Sequence, residues 1–236
     1  MADNVNQLYR RRFQALLVSI VLLLGIYPML RSDFVGRMLF DAIFTLLFVT
    51  AYLAVFRRRA SRLIALCLGI PTLIGAVSGY VWPSIPHVNL TVGLHLLAAL
   101  FLTFCLVQVL RIAYSDDSVS AESVYAALCG YLFIGVVFGH VYCIFEALVP
   151  GSFGGSEGLA AQLQNEDRRR FLLTYFSFVT LTTAGYGDIV PASDPVRSMA
   201  MVETVIGQFY LAVLVAELIG KRVSQTISEQ QSNTGK

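Results

Sequence analysis

The sequence predicts an all-α membrane protein with six transmembrane helices and one re-entrant helix. Of its 236 residues, 56% are hydrophobic and only 14% are charged, whereas charged residues make up about a quarter of an average soluble domain. A transmembrane helix needs on the order of 20 predominantly apolar residues. Six runs approach that length, namely 13–30, 37–56, 62–82, 88–111, 122–148 and 195–220. A seventh apolar run, 171–183, is too short to cross and is expected to re-enter.

Basic residues favour an orientation with both termini in the cytoplasm. Arg10 to Arg12 precede the first span, and the cluster RRRASR at 57–62 follows the second. With six spans these residues fall on the same side as Arg111 and Lys221, and an excess of Lys and Arg marks cytoplasmic loops. We therefore expect a multi-pass protein of the cell membrane. Its net charge of +2 is spread over the membrane flanks, so no nucleic-acid partner is expected.

The motif TLTTAGYGD connects the re-entrant run to the sixth span. Successive carbonyls of a strand point to opposite sides, and alternating left- and right-handed backbone conformations turn them to one side. Left-handed conformations are cheap at glycine, and Gly185 and Gly187 stand at alternate positions. The carbonyls that can then replace the hydration shell of a potassium ion belong to Thr183, Ala184, Gly185 and Tyr186, with the Thr183 hydroxyl at the inner end. One chain offers too few oxygens per ion, so the motif predicts a homotetramer.

These residues resemble the pore of the potassium channel superfamily, in particular its six-segment tetrameric members. The likeness covers TLTTAGYGD, the aromatic-rich YFSFV before it and IVP after it. The usual signature has valine where Ala184 stands. Alanine keeps the carbonyl but lacks two methyl groups, worth about 1.6 kcal/mol per chain at about 0.8 kcal/mol each. The resemblance implies a passive, potassium-selective ion channel. An enzyme is not expected, because the sequence has no nucleophile–base set and no metal-ligand spacing, and no cofactor other than the permeant potassium ion is expected.

The resemblance also implies how the chain is divided. The parts are a four-helix module similar to a voltage sensor, 1–113, a linker, 114–122, a pore module, 123–223, and a short cytoplasmic tail, 224–236. A voltage sensor carries several arginines in its fourth span, whereas this one has only Arg111, at its inner edge. A charge crossing 100 mV is worth about 2.3 kcal/mol, so sensing needs several charges per subunit. Conventional voltage gating is therefore not expected.

By resemblance, residues 183–187 form the selectivity filter that binds the ion, and three side chains are expected to support this filter. By resemblance, Tyr175 belongs to an aromatic cuff around the filter, where its hydroxyl can bond Asp188. Val179 stands where some relatives carry a carboxylate, so no acid pair is expected behind the filter. Glu146 occupies the position of an acid that binds backbone near the filter and the sixth span in similar channels, with a solvated interfacial glutamate as the alternative. Asn165 is expected to cap the re-entrant helix.

The sixth span is expected to form the inner helix of the pore. Gly207 matches the bending glycine of the family's inner helix, and close packing is the alternative. Leu211, Val215 and Ile219 follow at four-residue intervals and are expected to line the inner pore, where apolar rings can close a pore by dewetting. Glu203 is expected to face protein or the rear of the filter, since four charges in the cavity would be costly.

Two ionisable residues lie inside the sensor-like spans. Asp41 follows Arg37 by one helical turn, so pairing is favoured over the functional role that an intramembrane acid suggests. His95 is expected to be a neutral, hydrogen-bonded side chain, with proton sensing as the alternative. Small residues let helices approach closely, and those of the fifth span, expected to face the sixth, are Gly130, Gly135 and Gly139.

Two other functions remain open from the sequence. Ala184 makes a weakly selective cation channel conceivable, because the filter loses packing behind it. A non-conducting membrane subunit that modulates a channel is the second alternative. Membrane lipids are expected partners in every case, and the sequence names neither a gating stimulus nor a regulatory partner.

Overall fold

A computed structural model describes residues 12–26, 45–47, 49–52, 59–81, 88–115 and 120–234. Helices dominate these residues. Their bounds are α1 (Arg12–Ile26), α2 (Arg59–Val81), α3 (Val88–Ser115), α4 (Ala121–Leu148), α5 (Leu159–Gln164), α6 (Glu166–Leu181) and α7 (Asp194–Thr234). Two short strands, β1 (Phe153–Gly155) and β2 (Ile189–Pro191), flank α5 and α6 in the chain. Asp41 and Arg37 lie outside the described residues.

Three of the described helices are long and apolar enough to cross a membrane. The stretches are Val88–Tyr114, Ala121–Leu148 and Asp194–Ile227, and they correspond to the fourth, fifth and sixth predicted spans. The shorter apolar stretches Arg12–Gly25 and Ser61–Ile74 lie in α1 and α2. The second predicted span, 37–56, falls largely outside the described residues. The chain is therefore a membrane protein, whereas the number of six spans stays a prediction.

α3 and α4 form an antiparallel hairpin that builds the larger hydrophobic core. Only residues 116–120 connect the two helices, and they pack along their length so that His95 meets His140 near the far ends. Ser120 begins α4 as its N-cap, because its side chain accepts a hydrogen bond from the Ser123 backbone and Ser123 returns one. α1 packs against the same helix and adds Phe13, Leu16 and Ile20 to this core.

An ion pair joins α1 to the first turn of α4. Arg12 Nε lies 2.6 Å from Glu122 Oε1, and the arginine side chain is largely buried. A carboxylate in the first turn also suits the positive end of the helix dipole. The pair therefore fixes α1 directly to the beginning of α4.

α6, which contains most of the predicted re-entrant run and is called the pore helix below, docks on a face of α4 that two glycines leave open. A Cβ added at Gly135 would lie 2.7 Å from the Phe178 ring, and one at Gly139 would lie 2.8 Å from Thr174 Oγ1. The expectation that these glycines face the sixth span was wrong for both. Only Gly130 faces α7, where an added Cβ would lie 2.6 Å from the Tyr210 hydroxyl.

A cluster of aromatic rings joins the outer ends of α4 and α6 to β1. Tyr142, Phe153 and Phe176 pack edge to face, with ring centroids 5.1 to 5.6 Å apart, an arrangement that aromatic quadrupoles favour. All three side chains are buried. They form the centre of a second core, which holds the loop between α4 and α6 against the pore helix.

A two-stranded sheet, absent from the all-α prediction, connects that loop to the residues after the filter. β1 pairs antiparallel with β2, and the register places Phe153 opposite Pro191 and Gly155 opposite Ile189. Asn165, between α5 and α6, caps the pore helix by accepting a hydrogen bond from the Arg168 backbone. The predicted cap is therefore confirmed.

α7 is continuous through Gly207 and is longer than one crossing of a membrane requires. Its 41 residues span about 60 Å at about 1.5 Å per residue, whereas the hydrocarbon core of a bilayer is about 30 Å thick. The predicted cytoplasmic tail, 224–236, is helical as far as Thr234. The helix thus continues into what the sequence suggested was a simple polar tail.

Replacing Gly139 by alanine is expected to lower the thermal stability of the protein. The new Cβ would lie 3.0 Å from the Thr174 Cα, and overpacking of this kind costs about 1–3 kcal/mol. The measurement is a melting temperature in detergent. Gly93→Ala on α3 is the matched control, because its Cβ meets nothing within 4 Å. Equal melting temperatures for the two variants would contradict the close approach of α6.

Candidate functional site

The backbone of the TTAGYGD segment alternates in handedness. Thr183, Gly185 and Gly187 have φ angles of 60°, 56° and 78°, whereas Ala184 and Tyr186 between them do not have positive φ. This is the alternation that turns successive carbonyls toward one side. The sequence indicated two of the three left-handed positions, because both are glycines. The third, Thr183, escapes such reasoning, since a β-branched residue disfavours this conformation.

The inner end of this segment is tied to the last turn of the pore helix. The Val179 carbonyl accepts hydrogen bonds from the backbone N–H of Ala184, at 2.9 Å, and of Gly185, at 3.3 Å. The Thr183 N–H donates to the Thr180 carbonyl at 3.0 Å. Carbonyls that end a helix have no intrahelical partner, and here they receive the N–H groups of the filter. The position of α6 therefore sets the position of the filter.

Residues 182–188 are exposed in the single chain, although residues on either side are buried. Tyr186 is 72% exposed, whereas Leu181 and Ile189 pack inside the protein. A segment with an unusual backbone and no covering on its outer side is suited to contacts with other copies of the chain or with ions.

The outer end of the segment is braced by the hydrogen bond that the sequence predicted. The Tyr175 hydroxyl donates to Asp188 Oδ2 at 2.9 Å. Desolvation of the hydroxyl, followed by its bond to Asp188, raises the pKa of Tyr175 to about 12. The hydroxyl therefore remains protonated, and remains a donor, throughout the physiological pH range. Its support of conduction stays a prediction.

A second brace at Asp188 comes from the turret, the loop between α4 and α6. The Asp188 carbonyl accepts a hydrogen bond from the Ser156 backbone at 3.1 Å. Gly155, opposite Ile189 in the sheet, has a φ of 154° and leaves no room for a Cβ beside the Asp188 carbonyl. No local pattern in the sequence predicts this brace, because three-residue strands are too short to show a periodicity.

Glu146 is buried in the turret rather than solvated. Its side chain is 6% exposed, and its Oε1 accepts a hydrogen bond from the Gly151 backbone at 2.9 Å. The solvated alternative is therefore wrong. The bonds to the filter and to the sixth span that the resemblance implied do not occur among the described residues, so Glu146 orders the turret, five residues away in the chain.

Gly207 is the point where the inner helix touches the end of the pore helix. A Cβ at this position would lie 2.5 Å from the Leu181 carbonyl oxygen, which also accepts a hydrogen bond from the Tyr131 hydroxyl at 3.3 Å. α7 is not interrupted here. The geometry therefore requires a glycine for close packing, and bending at Gly207 stays a prediction.

The residues predicted to line the inner pore are exposed in the single chain. Leu211, Val215 and Ile219 are 38%, 53% and 59% exposed. Other apolar residues of α7 are equally exposed, among them Phe209 and Val213. Exposure in one chain does not separate pore lining from contact with a second copy, so their role stays a prediction.

Polar contacts at Glu203 and at His95 join residues of different helices that are far apart in the sequence. Tyr142 of α4 and Ser177 of α6 are both hydrogen-bonded to the carboxyl group of Glu203 on α7, which is completely buried. His95 of α3 contacts His140 of α4 with their Nδ1 atoms 2.9 Å apart. The expectation of a hydrogen-bonded His95 is thus confirmed, and its partner was not foreseen. Glu203 faces protein, as expected.

Comparison with known proteins points to the same part of the chain. Residues 126–223 match the family model described as Ion channel. The matched segment contains the filter, the pore helix and most of α4 and α7. It supports passive ion-channel function and specifies neither the ion nor the number of subunits. No curated protein and no solved structure matches the chain.

Removing the hydroxyl of Tyr175 is expected to speed the loss of conduction during sustained opening. Tyr175→Phe keeps the ring but removes the donor to Asp188, a hydrogen bond worth about 1 kcal/mol. The measurement is the decay of current through the reconstituted protein. Tyr125→Phe is the control, because Tyr125 lies near the beginning of α4 and packs against the larger hydrophobic core. Unchanged decay in Tyr175→Phe would contradict the brace.

An alanine at Gly207 is expected to push the inner helix away from Leu181. The contact with a backbone carbonyl cannot be relieved by rotating a side chain, so a loss of about 1–3 kcal/mol in stability is expected. Gly220→Ala on the same helix is the control, since its Cβ meets nothing within 4 Å. Thermal denaturation of both variants checks this. A Gly207→Ala protein that melts like the control would argue for bending instead.

Proposed function

We propose that the chain is the subunit of a potassium-selective channel that conducts ions passively through a pore shared by four copies. The observation that carries the proposal is the alternation of handedness at Thr183, Gly185 and Gly187. In this function the carbonyls of Thr183, Ala184, Gly185 and Tyr186, with the Thr183 hydroxyl, replace the hydration shell of the permeant ion. The ion channel match over 126–223 supports the same conclusion at a coarser level.

The number of oxygen ligands that a dehydrated ion requires favours four copies of the chain around one axis. One strand offers about two carbonyl oxygens to each site, too few to replace a hydration shell, whereas four strands around an axis offer enough. The exposure of residues 182–188 in one chain is consistent with a filter that is completed by other copies. The homotetramer would have six spans and one re-entrant helix per subunit, with both termini in the cytoplasm and lipids around it.

Gating in this channel would not be conventionally voltage-dependent. α3 occupies the place of the sensor helix, and Arg111 is the only arginine or lysine in it. That residue lies within the last two turns of the helix, where it crosses little of the field, whereas several full crossings are needed for steep voltage dependence. α3 instead packs along α4 of its own chain, so the sensor-like module, 1–113, would act as a rigid flank of the pore module, 123–223.

Ala184 favours a weakly selective cation channel as a second candidate. Its side chain leaves space behind the filter that a valine would fill, and Ala184 is itself exposed in the single chain. A looser filter discriminates less between ions of different size. Selectivity is therefore the quantity that separates the two candidates.

Bilayer recordings of the purified protein in asymmetric potassium and sodium test both candidates. We expect a reversal potential close to that of potassium and currents that depend little on voltage steps, because several gating charges are lacking. Gly185→Ala is expected to abolish selective conduction, since a left-handed alanine costs about 1–2 kcal/mol. Gly158→Ala, a turret glycine with a φ of 80° and equally open surroundings, imposes similar strain outside the filter and should conduct normally.

Three results would change the assignment. A potassium-to-sodium permeability ratio near one would favour the weakly selective channel. Complete absence of current from the correctly assembled protein would favour a channel-modulating subunit. Equal effects of Gly185→Ala and Gly158→Ala on conduction would show that residues 183–187 have no special role in conduction.

A further inference from the structure

Glu203 is the most deeply buried acid in the described part of the chain, and it is not among the residues proposed to bind the permeant ion. Its side chain is 0% exposed. The Tyr142 hydroxyl donates to its Oε2 at 2.6 Å, and Ser177 Oγ is hydrogen-bonded to its Oε1. These contacts join α7 to α4 and α6 at one point. Ser177 lies two residues before Val179, whose carbonyl accepts hydrogen bonds from the filter backbone.

This network has one hydrogen too few when Glu203 is ionised, because the two hydroxyls supply two hydrogens for three close oxygen pairs. Ser177 Oγ lies within hydrogen-bond distance of two acceptors, the Glu203 carboxyl and the Gly135 carbonyl at 2.7 Å. A serine hydroxyl has a single hydrogen, so it can serve only one of them. With an ionised Glu203, one of the two close oxygen pairs has no hydrogen between its members.

A proton on Glu203 Oε1 completes the network. The carboxyl then donates to Ser177 Oγ, the serine hydroxyl donates to the Gly135 carbonyl, and the Tyr142 hydroxyl donates to Oε2. Every polar atom has a partner, as buried polar groups require. Among the residues that the structure describes, the groups facing the carboxyl are the hydroxyls of Tyr142 and Ser177 and, further off, Tyr131. None is a cation, and an unpaired buried carboxylate is costly.

We propose that Glu203 is held as a neutral carboxylic acid and is the positioning residue that fixes the pore helix between α4 and α7. It acts on the filter through α6, because Ser177 and the filter anchor Val179 lie in the same turn of that helix. The effect on conduction rests on the proposed function, whereas the protonation of Glu203 does not.

Infrared spectroscopy of the purified protein tests the protonation directly. A protonated carboxyl has a carbonyl stretch that an ionised carboxylate lacks. We expect a difference band of this kind between wild type and Glu203→Gln at neutral pH. Glu217→Gln on the same helix is the matched control and should give no such band, because Glu217 is 3.1 Å from Lys221 Nζ in an ion pair. A missing band for Glu203→Gln would overturn the proposal.

Conduction tests the positioning role. Glutamine can donate to Ser177 and accept from Tyr142, so Glu203→Gln should retain wild-type selectivity and sustained current. Glu203→Met removes both bonds, and a shift of about 30-fold toward non-conducting channels is expected from the loss of two buried hydrogen bonds. Ser177→Ala, a smaller change in the same network, should shift the channel in the same direction.

The outcomes separate the two proposals. A Glu203→Gln channel as impaired as Glu203→Met, or Met and Ala variants indistinguishable from wild type, would overturn the positioning role. Where Glu203→Met does not assemble, Ser177→Ala decides that role. A wild-type protein without potassium current would instead count against the proposed function, and the infrared band would still decide whether Glu203 carries a proton.

Discussion

The backbone of residues 183–187 is the constraint on which the rest of the pore module depends. Its left-handed positions disfavour ordinary side chains, and at Thr183 the conformation is adopted by a β-branched residue. A strained segment persists only when its surroundings hold it. The surroundings here are hydrogen bonds at both ends: the segment donates to the Val179 carbonyl at its inner end, and Asp188 accepts from Tyr175 and Ser156 at its outer end.

Those supports require the pore helix to be held closely on three sides. Small residues make this possible where helices meet, at Gly135 and Gly139 on α4 and at Gly207 on α7. The turret sheet closes the remaining side by pairing Gly155 with Ile189. Hydrogen bonds then fix the orientation of α6, because Glu203 on α7 bonds Ser177 and Tyr131 on α4 bonds the Leu181 carbonyl. The α3–α4 hairpin and the Arg12–Glu122 pair give this assembly a rigid outer flank.

Residues whose role depends on which neighbour faces them were the ones that sequence reasoning placed wrongly or not at all. The periodic glycines of α4 indicated a close helix, but not which one. Glu146 was recognised as important at the outer end of α4, yet its partner is the turret backbone at Gly151. His140 carried no local signal, and only the antiparallel hairpin brings it to His95.

The sequence by itself determined the membrane class, the cap at Asn165 and the two left-handed glycines, Gly185 and Gly187. Each of these follows from the chemistry of one residue or from composition within a short window, so no distant part of the chain is needed. Only the tertiary structure decided that Gly207 packs on Leu181, that β1 braces Asp188, and that Ser177 and Tyr142 share Glu203. Such contacts depend on the rotation and depth of each helix, which are set by packing across the whole module.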